Sequence, residues 1–131
     1  MIQLKRAYEP PSRSDGARFL VERLWPRGIK KENLPVKVWL KDVAPSTELR
    51  QWFSHDPAKW PEFQRRYRLE LKRDRTSLQP ILDAAREGGP VTLIYSSHDT
   101  EHNNAVVLKA FVESLLASDP HPARTGARRA S

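Results

Sequence analysis

Two rhythms of apolar and polar positions divide the chain. Early on the period is two. From Ile2 to Tyr8, Ile2, Leu4 and Arg6 alternate with Gln3, Lys5 and Ala7, which predicts a short strand. EPPSRSDG (9–16) is a loop closed by Asp-Gly, and Arg18 to Leu24 reads as a second strand. Trp25-Pro26-Arg27-Gly28 ends it, because proline has no N–H to give to a ladder. Val36 to Val43 reads as a third strand, with Val36, Val38 and Leu40 on one face and Lys37, Trp39 and Lys41 on the other.

The period then lengthens. Ser46 is a good N-cap, followed by Glu48 and the apolar Leu49, Trp52 and Phe53. A second helix starts near Pro57 and carries Trp60, Phe63, Tyr67 and Leu71 at spacings of three and four, with arginine and lysine pairs opposite. Leu78 to Glu87 continues helical and stops at Gly88-Gly89. Pro90 to Tyr95 is nearly all apolar, the pattern of a strand covered on both faces. It runs into SSHDTEHNN, and an apolar helix follows from about Glu101 to Leu116. This order predicts an α/β fold: a single domain, residues 1–118, with a small, mostly parallel sheet flanked by helices. Residues 119–131, rich in proline, arginine, alanine and serine, are expected to be a disordered basic tail.

Composition narrows the chemistry more than the fold. No cysteine is present among the 131 residues, which excludes disulfides, thiolate catalysis and thiolate metal sites. No window is apolar for long enough to span a bilayer, and MIQLKRAYEP has no apolar core of a signal peptide, so a cytoplasmic location and no membrane partner are expected. The net charge of +7 favours anionic partners, although the tail holds Arg124, Arg128 and Arg129 against Asp119.

Three places could carry chemistry. In RLWPRG (23–28), Arg23 and Arg27 bracket a rigid proline beyond a strand end, where α/β sheets open their pockets, and guanidinium forks suit phosphate or carboxylate. The plainer reading has Arg23 paired with Glu22 or Asp42 and Trp25 packed in the core. In YSSHDTEHNN (95–104), a buried strand enters a polar loop that opens a helix, exposing N–H groups to an anion. There Asp99 reads as the N-cap and Glu101 as a first-turn carboxylate. His102 could act as acid or base near neutral pH, or be a satisfied, half-buried histidine. A metal is not expected, since His98, Asp99, Glu101 and His102 lack the usual ligand spacing on one helical face. In LKDVAPSTELRQWFSHDP (40–57), Ser46 caps a helix with Lys41, Arg50 and His55 nearby; spacing alone favours ordinary capping plus solvated charge over binding. Five scattered glycines make neither a dinucleotide nor a phosphate loop, so no cofactor is expected.

Taken together, RLWPRG, WLKDVAPS, LRQWFSHDP, WPEFQRRY and LIYSSHDTEHNNAVVL resemble the domain-of-unknown-function-488 family, in its short YeaO-like branch, over about residues 3 to 116. The resemblance implies an α/β domain and the place of a site. It does not imply a reaction. The family's motifs fall here on Arg23, Trp25, Pro26, Arg27 and Gly28, then on Lys41, Ala44, Pro45, Ser46, Leu49 and Arg50, with Phe53 and His55 following. The last falls on Tyr95, Asp99, His102, Asn103 and Ala105. Longer relatives have cysteines where Tyr95 and Asn103 stand, so thiol chemistry there does not transfer to this chain.

The expectation with most support is a basic pocket for a small phosphate- or carboxylate-bearing ligand, a nucleotide among the candidates. Arg23 and Arg27 would clamp the anion, N–H groups after Asp99 would assist, and Lys41, Ser46, Arg50 and Asn103 would flank it. One alternative is a hydrolase or transferase on a phosphorylated substrate, with His102 as acid/base assisted by Asp99 or Tyr95. Another is nucleic-acid binding through Arg65, Arg66, Arg68, Lys72 and Arg73 with the tail.

Overall fold

The run after Gly88-Gly89 becomes the innermost strand. In the computed structural model, which describes residues 1–118, Val91–Tyr95 (β4 in chain order) lies between Ile2–Arg6 (β1) and Ala17–Leu20 (β2). Val38–Trp39 (β3) adds to the far side of β2, giving the order β1-β4-β2-β3. All three pairings are parallel, with Leu93 opposite both Leu4 and Phe19. Each residue of β4 is buried, as its unbroken apolar run predicts.

The two faces of the sheet are covered differently. Four helices lie over one: Thr47–Phe53 (α1), Trp60–Arg73 (α2), Gln79–Arg86 (α3) and Asn104–Ala117 (α4). Their buried residues, among them Phe63, Tyr67, Leu71, Ile81 and Leu108, pack with Phe19, Val91 and Leu93 into the main core. On the other face Leu20 and Ile94 meet no helix. They pack with Ala7 and Leu34 under Trp25, Ile29, Val36 and Trp39 from the irregular stretch 21–39. Trp25 and Trp39 meet edge to face at 5.4 Å, and Trp25 Nε1 donates to Ile29 O at 2.6 Å. The Trp-Pro-Arg-Gly segment is thus a corner whose tryptophan roofs the sheet, with Gly28 at φ 81 making the turn.

Several predicted boundaries move, the first strand ending at Arg6 rather than Tyr8 and the second helix starting at Trp60 behind a 3-10 turn at Pro57–Lys59. The second strand ends at Leu20 rather than Leu24, because the carbonyls beyond it are taken by side chains: Asn104 Nδ2 donates to Val21 O and Trp39 Nε1 to Glu22 O. The third strand, expected over 36–43, shrinks to Val38–Trp39 for the same reason, since β2 offers no partner past Leu20. The chain curls instead into a 3-10 turn at Lys41–Val43. Its faces also differ from expectation: Val38 is exposed and Trp39 packs inward. The last helix begins at Asn104 with Asn103 as N-cap, not near Glu101 with Asp99 as cap. Asp99 Oδ1 accepts the N–H groups of Glu101 and His102 in a tight local turn, which postpones the helix. The expected tail, 119–131, lies outside the described residues.

Candidate functional site

The strands end together at one edge, and a cleft of about 470 Å³ opens there. The loop after β4, residues 96–103, forms one wall. Glu22, just past β2, and Arg50 and His55, from the end of α1, form the other. Phe53 and Phe63, stacked at 4.3 Å and both buried, line it with apolar surface. Parallel sheets with crossover connections open ligand crevices at this edge, beyond the carboxyl ends of the strands.

Most polar groups in the cleft are held by identifiable devices. Ser96 N donates to Glu22 Oε2 at 3.1 Å. Burial pushes the Glu22 carboxyl above its ordinary range, opposed by the Ser96 hydrogen bonds and by the charge of Arg50. Across the cleft, His102 Nδ1 lies 3.0 Å from Asp99 Oδ2, and the His102 ring stands edge-on to Trp60 at 5.2 Å. The N–H groups of Glu101 and His102 hold the Asp99 carboxyl below its ordinary range, with the His102 ring adding to this. Asn103 Nδ2 donates to Asp99 O while Asn103 Oδ1 caps α4, so one buried amide fixes both the loop and the helix start. Arg6, at the end of β1, braces the same loop from outside, donating Nε to Ser97 O at 2.8 Å and reaching His98 Nδ1 at 3.3 Å.

His55 is placed by unusual backbone. Ser54 and His55 both have positive φ, 47° and 58°, a conformation that non-glycine residues adopt at a cost. Ser54 closes α1 by donating its N–H to Arg50 O, and the second left-handed residue turns the chain so that His55 lines the cleft.

The residues singled out by sequence part company here. Asp99, His102, Asn103 and Arg50 meet in the cleft. Arg23 does not line it. Its Nε donates to Pro45 O at 2.8 Å and its Nη2 to Ala44 O at 3.3 Å, so it staples the 44–45 turn, bonding neither to Glu22 nor to Asp42. Arg27 is exposed outside the cleft, and its carbonyl accepts the Tyr8 hydroxyl at 3.0 Å. Lys41 sits over the Trp39 ring at 4.2 Å. Ser46 is fully engaged, capping Leu49 N and giving its hydroxyl to Glu70 Oε2 at 2.6 Å. Tyr95 is buried in the main core, and burial raises its hydroxyl pKa. The expected N–H donors after Asp99 are occupied by Asp99 itself.

Sequence reasoning missed Glu22 as a site residue. The signal was available: a lone carboxylate ending the apolar run FLVE at the carboxyl end of a parallel strand. With Glu22 and Asp99 facing Arg50 and three histidines, the cleft is mixed in charge rather than simply basic. Among the described residues no group of three or more histidine or acidic side chains is arranged to hold a metal ion. None of their helices is long and apolar enough to cross a membrane.

Comparison with known proteins bears out the family resemblance of the sequence. A family model described as "Inactive DUF488-N3 subclade" matches residues 1–129. The chain is 43% identical over 114 residues to the uncharacterised protein YeaO of Escherichia coli (strain K12), covering 87% of this chain and 98% of YeaO. It is 49% identical over 70 residues to an uncharacterised protein of Mycobacterium bovis, covering 53% of this chain and 59% of that one. An uncharacterised protein of Mycobacterium tuberculosis (strain CDC 1551 / Oshkosh) matches with the same identity and coverage. No solved structure matches. With nearly its whole length matched by the family model and by YeaO, the chain belongs to the DUF488 family.

Proposed function

We propose that the protein binds a small phosphate- or carboxylate-bearing ligand in the cleft at the carboxyl edge of the sheet, with Arg50 meeting the anionic group. The observation that carries this reading is the state of Arg50. Its guanidinium lines the cleft, is exposed, and makes no hydrogen bond or ion pair with any described residue. The other prominent arginine near the sheet edge, Arg23, spends its donors on backbone carbonyls. Glu22, with Oε2 bound to Ser96 N–H, offers its second oxygen to a donor group on the same ligand. A ligand with an anion at one end and N–H or O–H groups at the other fits, and nucleotides and sugar phosphates belong to that class. The description of the matching subclade as inactive accords with binding without turnover.

The test is a thermal-shift screen of the full chain against inorganic phosphate, nucleotides, sugar phosphates and dicarboxylates. A ligand at a hundred times its Kd should stabilise the fold by about 2.7 kcal/mol. The shift should vanish in Arg50→Ala and persist in Arg27→Ala. A shift that survives Arg50→Ala would overturn the assignment.

A second reading rests on the Asp99–His102 contact. A carboxylate on Nδ1 fixes an imidazole in the tautomer whose Nε2 can accept a proton, the arrangement of a general base. Hydrolysis of a phosphomonoester or phosphodiester by the parent, lost in His102→Gln with ligand binding retained, would establish it. Binding without hydrolysis leaves the first reading in place.

A further inference from the structure

Helix α2 carries a cationic surface separate from the cleft. Its buried stripe is Phe63, Tyr67 and Leu71. At 100° per residue, Arg65, Arg66, Arg68, Lys72 and Arg73 all fall on the other side, and all five are exposed. From Arg65 to Arg73 the rise is about 12 Å, the axial distance covered by three to four phosphates of one nucleic-acid strand.

Of the carboxylates on α2, Glu62 offsets part of this charge and Glu70 is turned to another task. Glu62 is shared between Arg65 and Arg66, with both contacts at 2.7 Å. That sharing holds the Glu62 carboxyl down to about 2, so it stays ionised and keeps both guanidinium groups in place. Glu70 is committed to α1, accepting Ser46 N at 2.8 Å and the Ser46 hydroxyl at 2.6 Å. Arg68, Lys72 and Arg73 make no ion pair with any described residue. Arg66 is ordered further by lying 4.2 Å over the ring of Trp52 on α1, whose ring also has Lys59 Nζ at 5.0 Å.

The chemistry of the face decides between kinds of partner. Its one exposed large apolar side chain is Leu69, at 45%. Leu69 stands among the cations, but a protein partner would normally bury a cluster of apolar or aromatic anchors, and one half-exposed leucine among five cations does not make such a cluster. What it offers is a field of guanidinium forks matched to phosphate oxygens. We infer that the exposed face of α2 binds the phosphate backbone of nucleic acid, without reading its sequence, through Arg68, Lys72 and Arg73 together with the pinned Arg65 and Arg66.

The experiment uses the full chain and two fluorescent probes, a 20-nucleotide single strand and a 20-base-pair duplex, titrated by anisotropy between 50 and 200 mM salt. Neutralising three phosphates predicts affinity falling roughly 20- to 40-fold over that range. The variant Arg68→Gln/Lys72→Gln/Arg73→Gln changes only exposed side chains. It should bind at least about tenfold more weakly at 50 mM, with a flatter salt dependence. Its melting temperature and any ligand shift at the cleft should stay unchanged. A parallel variant, Arg124→Gln/Arg128→Gln/Arg129→Gln, separates the contribution of the C-terminal segment and should keep most of the affinity. The proposal falls if the parent binds neither probe at 50 mM. It also falls if the α2 variant binds like the parent, or if polyglutamate of matched charge competes as well as nucleic acid does.

Discussion

Two clusters of charge lie on this small sheet, and they differ in how far their groups are used up. Beneath the loop-covered face, Asp15 sits in the turn before β2 and is 4% exposed. Both of its oxygens are engaged: Lys5 Nζ reaches Oδ1 at 2.9 Å, while Arg18 Nη1 and Ser12 N meet Oδ2 at 2.5 and 3.0 Å. Arg18 Nε goes on to Pro35 O at 2.7 Å, tying the strand to the stretch that roofs it. At the carboxyl edge, the cleft holds the same residue types in the opposite condition, with Arg50 uncommitted and Glu22 half engaged. Mutual satisfaction marks charge that builds the fold. Charge left unpaired in a cleft at the sheet edge is the kind a ligand could use, and the difference is invisible in composition.

Breaking the closed cluster should therefore cost the most stability. Asp15→Ala leaves Arg18 and Lys5 facing each other without an anion, and Arg18 Nη2 already has no hydrogen-bond partner. Loss of one partner from a buried pair predicts about 3 to 5 kcal/mol, measured by urea unfolding. Burial resists ionisation of Asp15, but Lys5, the Ser12 N–H and Arg18 together hold its carboxyl below the ordinary range. A depressed carboxyl gives stability that is present above the unfolded pKa and is lost as pH falls through the folded one. The gap between parent and variant should accordingly close in acid, below about pH 4.

Next in size is Gly16→Ala, in the same turn. Gly16 has φ 63°, and a Cβ there would sit 2.1 Å from the carbonyl oxygen of Pro90, which accepts the N–H of Ala17. Strain and overpacking together predict a loss of about 3 kcal/mol. The Asp-Gly pair, legible in sequence as a turn, thus also sets how closely the start of β2 approaches β4.

Arg50→Ala sharpens the comparison from the other side. An exposed arginine without partners should change stability by less than about 0.5 kcal/mol. Its removal should weaken anion binding at the cleft about tenfold or more, since charge-assisted hydrogen bonds are the strong ones. Calorimetric titration of the best ligand from the thermal-shift screen checks both halves in one preparation. A large stability loss with unchanged binding would place Arg50 with Asp15, among the groups that build the fold.

How much of this was legible follows from the range of the forces involved. Periodicity points to each of the four strands and four α-helices of the described residues, because burial of Val91–Tyr95 or of Phe63, Tyr67 and Leu71 leaves a local imprint. Strand lengths were not legible. β3 stops at Trp39 because the carbonyls just past β2, which lies nineteen residues upstream in register, have gone to side chains, that of Val21 to Asn104 and that of Glu22 to Trp39, and no local pattern carries that fact. The start of α4 was misplaced because Asp99 and Asn103 are equally good caps by type, and only the His102 contact and the Asp99 turn decide between them. Asp99, His102, Asn103 and Arg50, which sequence singles out near strand and helix ends, do line one cleft. Arg23 was given a ligand role because a guanidinium beside proline looks the same whether it faces an anion or the carbonyls of Ala44 and Pro45. Glu22 escapes a sequence reading because a carboxylate beside Arg23 looks like that arginine's own partner.

The smallest expected effect tests whether Glu22 truly belongs to the waiting cluster. Burial raises its carboxyl pKa, so ionising it at neutral pH works against the folded state. A carboxyl raised on folding contributes stability that is complete below the unfolded pKa and is lost as pH climbs through the folded value. Glu22→Gln keeps an oxygen for the Ser96 N–H and removes the charge. The variant should melt slightly higher than the parent at pH 7, and the two should converge near pH 4, where Glu22 is protonated in both states. Asp15 predicts the opposite trend, with its advantage growing as pH rises from acid to neutral. Melting curves of the two variants over one pH series would therefore separate the clusters by sign alone. If Glu22→Gln instead lost stability at pH 7, Glu22 would be a fold-building carboxylate like Asp15, its charge well compensated by Arg50, and the cleft would have no carboxylate left to offer a ligand.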